Sequence, residues 1–252
     1  MPHPDEKGRL TEAAHWEQYW QEEHKGHPDS HIFDSIFRSL LPHGGDYYEI
    51  GCTPGKTLAY FSRNFGYRVC GIDYVGTELV HETMRRWGVQ DYEVITADFL
   101  EHRFPDERQF DVVGSYGLIE HFADFESVVL RQAAYVKPGG YLIVEVPNLR
   151  GFNYALYSLF LPEEIKGSNL GAMRLEAITE PLRKHGFRIA YGRYFGTCFL
   201  HFDEQNAFLS SRPWLRTIVR ACRRVLDAVG LGNVPSAFLS PYIVVVAQRS
   251  VV

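Results

Sequence analysis

Short apolar runs alternate with amphipathic segments along most of this chain, and this alternation is the feature that most restricts its fold. The strand-like runs lie at residues 47–50, 68–73, 92–96, 110–115, 141–146, 187–193 and 242–247. The clearest helical patterns lie at residues 57–64, 77–87, 125–136 and 179–185. Strands that alternate with helices predict an α/β fold, doubly wound around a mostly parallel sheet. Sheets of this kind bind ligands at the carboxyl ends of their strands.

The composition is that of an ordinary globular protein, with 252 residues of which 45% are hydrophobic and 23% charged. The formal net charge of −5 argues against a broadly basic surface, so we expect no nucleic-acid partner. The 4 cysteines are far apart in the sequence, which argues against a disulfide framework and favours a reducing compartment. The first eight residues are polar, and no apolar run reaches the roughly 18 residues of a membrane helix. We therefore expect a cytoplasmic protein.

The strand pattern divides the chain into four parts. Residues 1–45 are predicted to form an N-terminal helical cap, and residues 46–196 carry the alternating core. Within the core, the aromatic-rich segment 148–176 is expected to cover a substrate, because connections between core elements often carry function. Residues 197–240 separate the last two strands as a helical insertion, and residues 241–252 supply the last strand.

A glycine-containing loop with the sequence EIGCTPG, residues 49–55, joins the first strand to a helix. Glycine at its third and last positions lets the backbone approach a ligand closely. An acidic residue, Asp73, ends the second strand 24 residues after the first acid of this loop. A carboxylate at that place can accept hydrogen bonds from both hydroxyls of a ribose.

A third acid, Asp98, follows the third strand and stands directly before Phe99. Its carboxylate can accept a hydrogen bond from the amino group of an adenine, and the phenyl ring can flank the adenine ring. Three consecutive strands therefore each end near an acid, and the set points to a site for an adenosine-containing ligand.

In order and spacing, these residues resemble the motifs of class I S-adenosylmethionine-dependent methyltransferases. The loop at residues 49–55 is similar to the family's E/D-x-G-x-G-x-G loop, with Thr53 at the place of the middle glycine. Three further stretches resemble the family's fourth strand, the loop after it and the turn before the fifth strand: FDVV at 110–113, GLIEHF at 117–122 and VKPGGYL at 136–142. The resemblance covers about residues 45–195. It implies a seven-stranded Rossmann-like sheet whose sixth and seventh strands pair antiparallel, with S-adenosylmethionine as cofactor.

The resemblance assigns cofactor binding to residues at the strand ends and in the N-terminal cap: Glu49, Gly51, Thr53, Gly55, Asp73, Tyr74, Asp98, Phe99, Tyr116 and Tyr19. The Cβ atom of Thr53 restricts the loop, although its hydroxyl can bond a carboxylate. A nicotinamide site is the rival interpretation, but its G-x-G-x-x-G pattern needs glycine at the positions of Thr53 and Lys56.

Methyl transfer to a hydroxyl needs a positioned acceptor and a base. Two histidines are candidates for the base: His121, in the loop after the fourth strand, and His201, which precedes Asp203 after the sixth. His121 can equally be a structural hydrogen-bonding residue, and His201 can be a solvated loop histidine. Some related enzymes bind a metal through an acid three positions before the Glu-His pair. That position is Gly117 here, so we predict no metal site.

Tyr154, Tyr157 and His201 are candidates for the wall of an acceptor pocket. The segment 206–234 carries five Arg and one Asp, with an apolar helical face over residues 214–230. This segment is either an ordinary helix with a solvated arginine face or a contact to a membrane surface or an acidic carrier.

The sequence therefore predicts a methyltransferase that uses S-adenosylmethionine and acts on a hydroxyl, or an amine, of a small molecule, a sugar or a natural-product intermediate. Two alternatives stay open: a cofactor-binding module without catalysis, and a peripheral enzyme that acts on a lipid-linked substrate. A small-molecule acceptor is the expected partner, and the chain is expected to be a monomer or a homodimer.

Overall fold

The computed structural model describes residue 5 and residues 7–22, 30–196 and 234–251, together with eight positions between residues 214 and 230. In this part of the chain the strands are β1 (Asp46–Ile50), β2 (Arg68–Asp73), β3 (Tyr92–Thr96), β4 (Phe110–Tyr116), β5 (Val136–Pro147), β6 (Phe187–Phe195) and β7 (Tyr242–Arg249). The named helices are α1 (Ala13–Glu22), α2 (Asp34–Leu40), α3 (Lys56–Phe65), α4 (Thr77–Arg86), α5 (Phe125–Ala134), α6 (Phe152–Phe160), α7 (Pro162–Lys166) and α8 (Leu175–Lys184).

The described strands form one sheet in the order β3-β2-β1-β4-β5-β7-β6. Strands β1 to β5 pair in parallel, whereas β7 pairs antiparallel with both β5 and β6. The strand order reverses between β1 and β4, and a crevice forms at the carboxyl ends of the strands on the two sides of such a reversal. The predicted fold class, a mostly parallel seven-stranded sheet with an antiparallel edge, is confirmed.

Successive side chains of β1 enter two different cores, because the strand is covered on both faces. Tyr47 stacks on Phe61 of α3 with ring centroids 4.1 Å apart, in the core that also contains α2 and α4. Tyr48 stacks on Phe110 at 4.7 Å, in the core that contains α5 and α8. Both tyrosines are fully buried, so the first strand is fixed from both sides of the sheet.

β5 begins five residues earlier than the sequence pattern predicted, but its pairing with β4 is interrupted. Val136 pairs with Phe110, and the next pair is Tyr141 with Val112. The residues between them, including the predicted Pro-Gly-Gly turn, form an irregular bulge. Gly140 is needed there because a Cβ atom would lie 2.7 Å from the carbonyl oxygen of Asp111.

Two helices, α1 and α2, precede the sheet, and α6 and α7 follow β5 within the segment predicted to cover a substrate. Most of the predicted insertion at residues 197–240 lies outside the described residues, so the domain boundaries stay a prediction. None of the described helices is long and apolar enough to cross a membrane.

Candidate active site

The loop after β1 turns sharply at the carboxyl edge of the sheet, and two glycines make this turn possible. Gly51 has a φ of +77° and Gly55 a φ of +90°, in the left-handed region that favours glycine. A Cβ atom on Gly55 would lie 2.9 Å from Cγ1 of Val80 on α4. The loop therefore lies against α4, and α3 begins directly after it.

Asp73 ends β2 beside this loop and is held by the backbone. Its carboxylate accepts hydrogen bonds from the N–H groups of Thr53 at 3.0 Å and Val75 at 3.3 Å. Burial raises the pKa of Asp73, and these two N–H groups act in the opposite direction by stabilising the charged form. The side chain is thus buried, fixed in direction and able to accept further hydrogen bonds.

Thr53, the residue that departs from the family's glycine, is accommodated in this arrangement. Its hydroxyl donates to the carbonyl of Val75 at 2.9 Å, while its N–H binds Asp73. Gly76 faces it: a Cβ atom there would lie 2.9 Å from the methyl carbon of Thr53. The threonine therefore helps to build the support of Asp73.

An open cleft of about 500 Å³ lies at this edge of the sheet. It is lined by residues from the loops after β1, β2 and β4 and from the N-terminal segment: Arg9, Thr11, Trp16, Trp20, Gly51, Asp73, Tyr74, Tyr116, Gly117, Leu118, His121 and Phe122. Four predicted cofactor residues (Gly51, Asp73, Tyr74 and Tyr116) and the candidate base His121 therefore meet in one cleft.

The N-terminal segment lies beside the loop after β4, and residues 7–11 of this segment are called the strap below. Arg9 forms an isolated antiparallel bridge with Phe122. The N–H of Leu10 donates to the carbonyl of His121 at 2.8 Å, and the N–H of Ala123 donates to the carbonyl of Gly8 at 2.7 Å. The strap was missed at the sequence level, because a single bridge between distant segments leaves no periodic pattern.

His121 is held in one tautomer by its environment. Its Nδ1 lies 3.0 Å from the carbonyl oxygen of Gly167, and a carbonyl only accepts, so Nδ1 carries the proton when the ring is neutral. Burial lowers the pKa of His121 to about 4. Trp16 packs edge-on against the imidazole at 4.7 Å. At neutral pH the Nε2 atom therefore carries a lone pair, and it lies 3.7 Å from Oε1 of the buried Glu120.

Three glutamates lie buried near these elements. Glu49 is 3%, Glu120 1% and Glu145 6% exposed. Burial raises the pKa of all three, that of Glu145 to about 8. Burial therefore favours the neutral, protonated form of each side chain. Glu49, predicted to bind the cofactor, is not among the residues that line the cleft.

Asp98, predicted to bind an adenine, is already paired with the strap. It forms ion pairs with Arg9 and, at 2.7 Å, with Lys7. Phe99 is 8% exposed and packs in the core under Arg131, whose guanidinium carbon is 5.5 Å from its ring centroid. Neither Asp98 nor Phe99 lines the cleft.

The remaining predicted residues lie elsewhere. Tyr19 packs edge-on against Trp20 at 4.9 Å on α1, one residue from the cleft lining. Tyr157 is buried in the core that contains α5 and α8, whereas Tyr154 is 47% exposed. His201 lies outside the described residues. The roles assigned to these residues stay predictions.

The arginine-rich segment 206–234 also lies largely outside the described residues, so its proposed contact to a membrane surface or carrier stays a prediction. Among its described positions, Trp214, Val225 and Val229 are each more than 60% exposed. Among the described residues, no three or more His, Cys, Asp or Glu side chains are arranged to hold a metal ion.

Residues 48–144, which contain the loop and both strand-end acids, match the family model described as a methyltransferase domain. Residues 48–144 therefore carry a methyltransferase domain. This result confirms the family expected from the motifs. A ubiquinone biosynthesis O-methyltransferase of Rhodopseudomonas palustris strain BisB18 is 32% identical over 111 residues, which are 43% of this chain and 42% of that protein. The match thus spans less than half the length of that relative.

Solved structures resemble the methyltransferase domain in fold. The YjhP protein of E. coli superposes with a TM-score of 0.59 at 17% identity, covering 92% of this chain and 97% of that chain. Phosphoethanolamine N-methyltransferase 2 of Haemonchus contortus, in complex with S-adenosyl-L-methionine, gives a TM-score of 0.58 at 18% identity, covering 85% of this chain and 51% of that chain. At these identities the similarity concerns the fold alone.

Proposed function

We propose that this chain is an S-adenosylmethionine-dependent methyltransferase that transfers a methyl group to a hydroxyl of a small molecule. The observation that carries the proposal is Asp73, a buried carboxylate fixed by two backbone N–H groups inside the cleft of a methyltransferase domain. The names of the relatives, which are O-methyltransferases, support the choice of oxygen.

The residues of the cleft fit S-adenosylmethionine. Asp73 has the free acceptor capacity that ribose hydroxyls need. The hydroxyl of Tyr74 is buried and has no hydrogen-bond partner among the described residues, so a ligand can supply one. Gly51 exposes its backbone to the cleft without a side chain of its own, and Tyr116 also lines the cleft. When bound, the cofactor supplies an electrophilic methyl group on a sulfonium.

His121 is the proposed base. Its Nε2 lone pair is available at neutral pH, because Nδ1–H donates to Gly167 and the pKa is lowered to about 4. Nε2 would accept the proton of the acceptor hydroxyl, while the cofactor, once bound, would supply the methyl group by cleavage of its methyl–sulfur bond and leave as S-adenosylhomocysteine. The strap and Trp16 cover this part of the cleft, which limits competition by water.

The acceptor that suits this site is a flat apolar molecule with an acidic hydroxyl, such as a phenol. Trp16, Trp20 and Phe122 supply aromatic surface in the cleft. A base with a pKa of about 4 is weak, so proton transfer is easiest from a phenol, with an ordinary pKa of about 10, rather than from the less acidic alcohol of a sugar.

Calorimetric titration with S-adenosylmethionine and S-adenosylhomocysteine tests the cofactor assignment. We expect Asp73→Ala to weaken both ligands by about 100-fold or more, because two hydrogen bonds to a charged group are lost. The control is Asp91→Ala, which removes an exposed acid before β3. No binding to folded wild type, or equal binding by both variants, would contradict the proposal.

Release of S-adenosylhomocysteine with a panel of small phenols, alcohols and amines tests turnover. Tight binding without release on any acceptor would favour the non-catalytic module. Release with phenols and none with amines is the expected result.

A further inference from the structure

Two cationic side chains of the strap form ion pairs with the same carboxylate. Lys7 Nζ lies 2.7 Å from Asp98 Oδ2, and the guanidinium of Arg9 pairs with Asp98 Oδ1. The side chains of Arg9 and Asp98 are each 13% exposed, whereas that of Lys7 is 37% exposed. The Arg9 pair is therefore the better shielded one, and solvent screens it less.

Arg9 also covers an aromatic ring of the cleft. Its guanidinium carbon lies 5.1 Å from the ring centroid of Tyr74, within the range of a cation–π contact. Tyr74 directly follows Asp73, the proposed ribose acid. One cation thus engages both a ring face beside the ribose position and the carboxylate at the end of the next strand.

Adenine would need these same two groups. If Asp73 holds a ribose, the attached adenine can stack on the Tyr74 ring and donate its amino group to Asp98, the acid that the motifs assign to the adenine. A guanidinium is planar and cationic, so it satisfies both groups in place of the adenine. The guanidinium and the adenine exclude each other.

We propose that Arg9 is an internal competitor for the adenine subsite: its guanidinium must leave Asp98 and Tyr74 before the adenine of the cofactor binds, and this requirement sets the cofactor affinity. The inference rests on the proposed function, because it assumes the cofactor site at Asp73.

The movement required is local. Backbone hydrogen bonds join Gly8 to Ala123 and Leu10 to His121 on both sides of Arg9. The strap backbone therefore stays attached to the loop after β4 while the Arg9 side chain turns away. Its long side chain allows this, and the removal of the guanidinium does not require the cleft to unfold.

The test is calorimetric titration of S-adenosylhomocysteine into wild type, Arg9→Ala and Lys7→Ala. We expect Arg9→Ala to lower Kd by about tenfold, since a largely buried ion pair and a cation–π contact no longer compete. Lys7→Ala is the matched control, because Lys7 binds the same carboxylate but does not cover the ring. Its Kd should stay within about threefold of wild type.

Two further measurements locate the effect. 5′-Methylthioadenosine, which keeps the adenosine but lacks the amino-acid part, should bind Arg9→Ala more tightly by a similar factor. Raising NaCl from 50 to 500 mM should tighten binding to wild type and change binding to Arg9→Ala less, because salt weakens the competing ion pair.

A Kd that is unchanged or higher in folded Arg9→Ala would overturn the inference and make Arg9 an ordinary wall of the site. Tightening for S-adenosylhomocysteine but not for 5′-methylthioadenosine would also overturn it. If wild type and both variants are folded by circular dichroism and none binds, the proposed function itself fails, which is a distinct outcome.

Discussion

The two walls of the cleft are built differently. The wall after β1 and β2, called the inner wall below, is part of the folded core: Thr53 is 4% and Asp73 9% exposed, and backbone N–H groups fix the carboxylate. The strap is attached from outside by one bridge, a few backbone hydrogen bonds and three ion pairs. The first wall supplies binding groups that folding has already placed. The strap supplies charged side chains that can exchange their ion-pair partners at a small cost in free energy.

The largest expected effect concerns His121, which lies where the two walls meet. His121→Ala removes the base, and we expect kcat to fall by about 100-fold or more while the Kd of S-adenosylhomocysteine changes less than about threefold. The measurement is initial rate and calorimetry on the same preparations, with the best acceptor from the panel. An equal loss in binding would show that His121 only supports the strap.

The pH profile separates a catalytic from a structural His121. A base must be unprotonated, and burial lowers the pKa of His121 to about 4. The wild-type rate should therefore rise with pH through about 4 and show no step near 6.5, the ordinary pKa of histidine. A step near pH 6.5 in the rate would contradict the buried environment assigned to His121.

Gly55 tests how firmly the inner wall is built. Gly55→Ala meets both a positive φ and Val80, so we expect it to cost about 2–4 kcal/mol of unfolding free energy. Gly66→Ala, at the other end of α3, is the matched control: its φ is +71° but no described atom lies within 4 Å of its Cβ position. It should cost about 1 kcal/mol. Equal losses in Tm for the two variants would show that the loop after β1 shifts away from α4 to make room for the added methyl group.

His31 tests the packing behind the cleft, because its ring contacts Tyr116 of the lining, with centroids 5.5 Å apart. Burial lowers the pKa of His31 to about 3, below its unfolded value of about 6.5. The unfolded chain then binds the proton more readily. This contribution to stability is present above pH 6.5 and is lost as pH falls toward 3.

The substitution His31→Phe removes that titration and keeps an aromatic ring beside Phe33, Phe37 and Tyr60. Unfolding free energies from urea titrations at pH 7, 6, 5 and 4 should fall less steeply in the variant, by up to about 1.4 kcal/mol per pH unit below 6. The exposed His43→Phe serves as control and should keep the wild-type slope.

The inner wall could be predicted from the sequence, and the strap could not. Residues 49–55 and Asp73 lie at the ends of adjacent strands, so strand alternation alone brings them together. The partners Lys7 and Asp98 are 91 residues apart and meet through a surface segment that has no periodic pattern. The sequence therefore assigned Asp98 to a ligand, and only the fold places Arg9 on it.

The smallest expected effect concerns Thr53, the departure from the family's loop. Thr53→Gly restores the family pattern but loses the hydroxyl bond to Val75 and adds backbone freedom. We expect a loss of about 1–2 kcal/mol in unfolding free energy. The Kd of S-adenosylhomocysteine should change less than about threefold, because the N–H that binds Asp73 is kept.

Thr53→Ser is the matched variant, since it keeps the hydroxyl and removes only the methyl group that faces Gly76. Its stability should lie between those of wild type and Thr53→Gly, measured by urea titration. If Thr53→Gly instead binds S-adenosylhomocysteine much more tightly than wild type does, the threonine weakens cofactor binding by the inner wall. Affinity would then be restrained on both sides of the cleft, and the contrast between a fixed wall and an exchangeable one would fail.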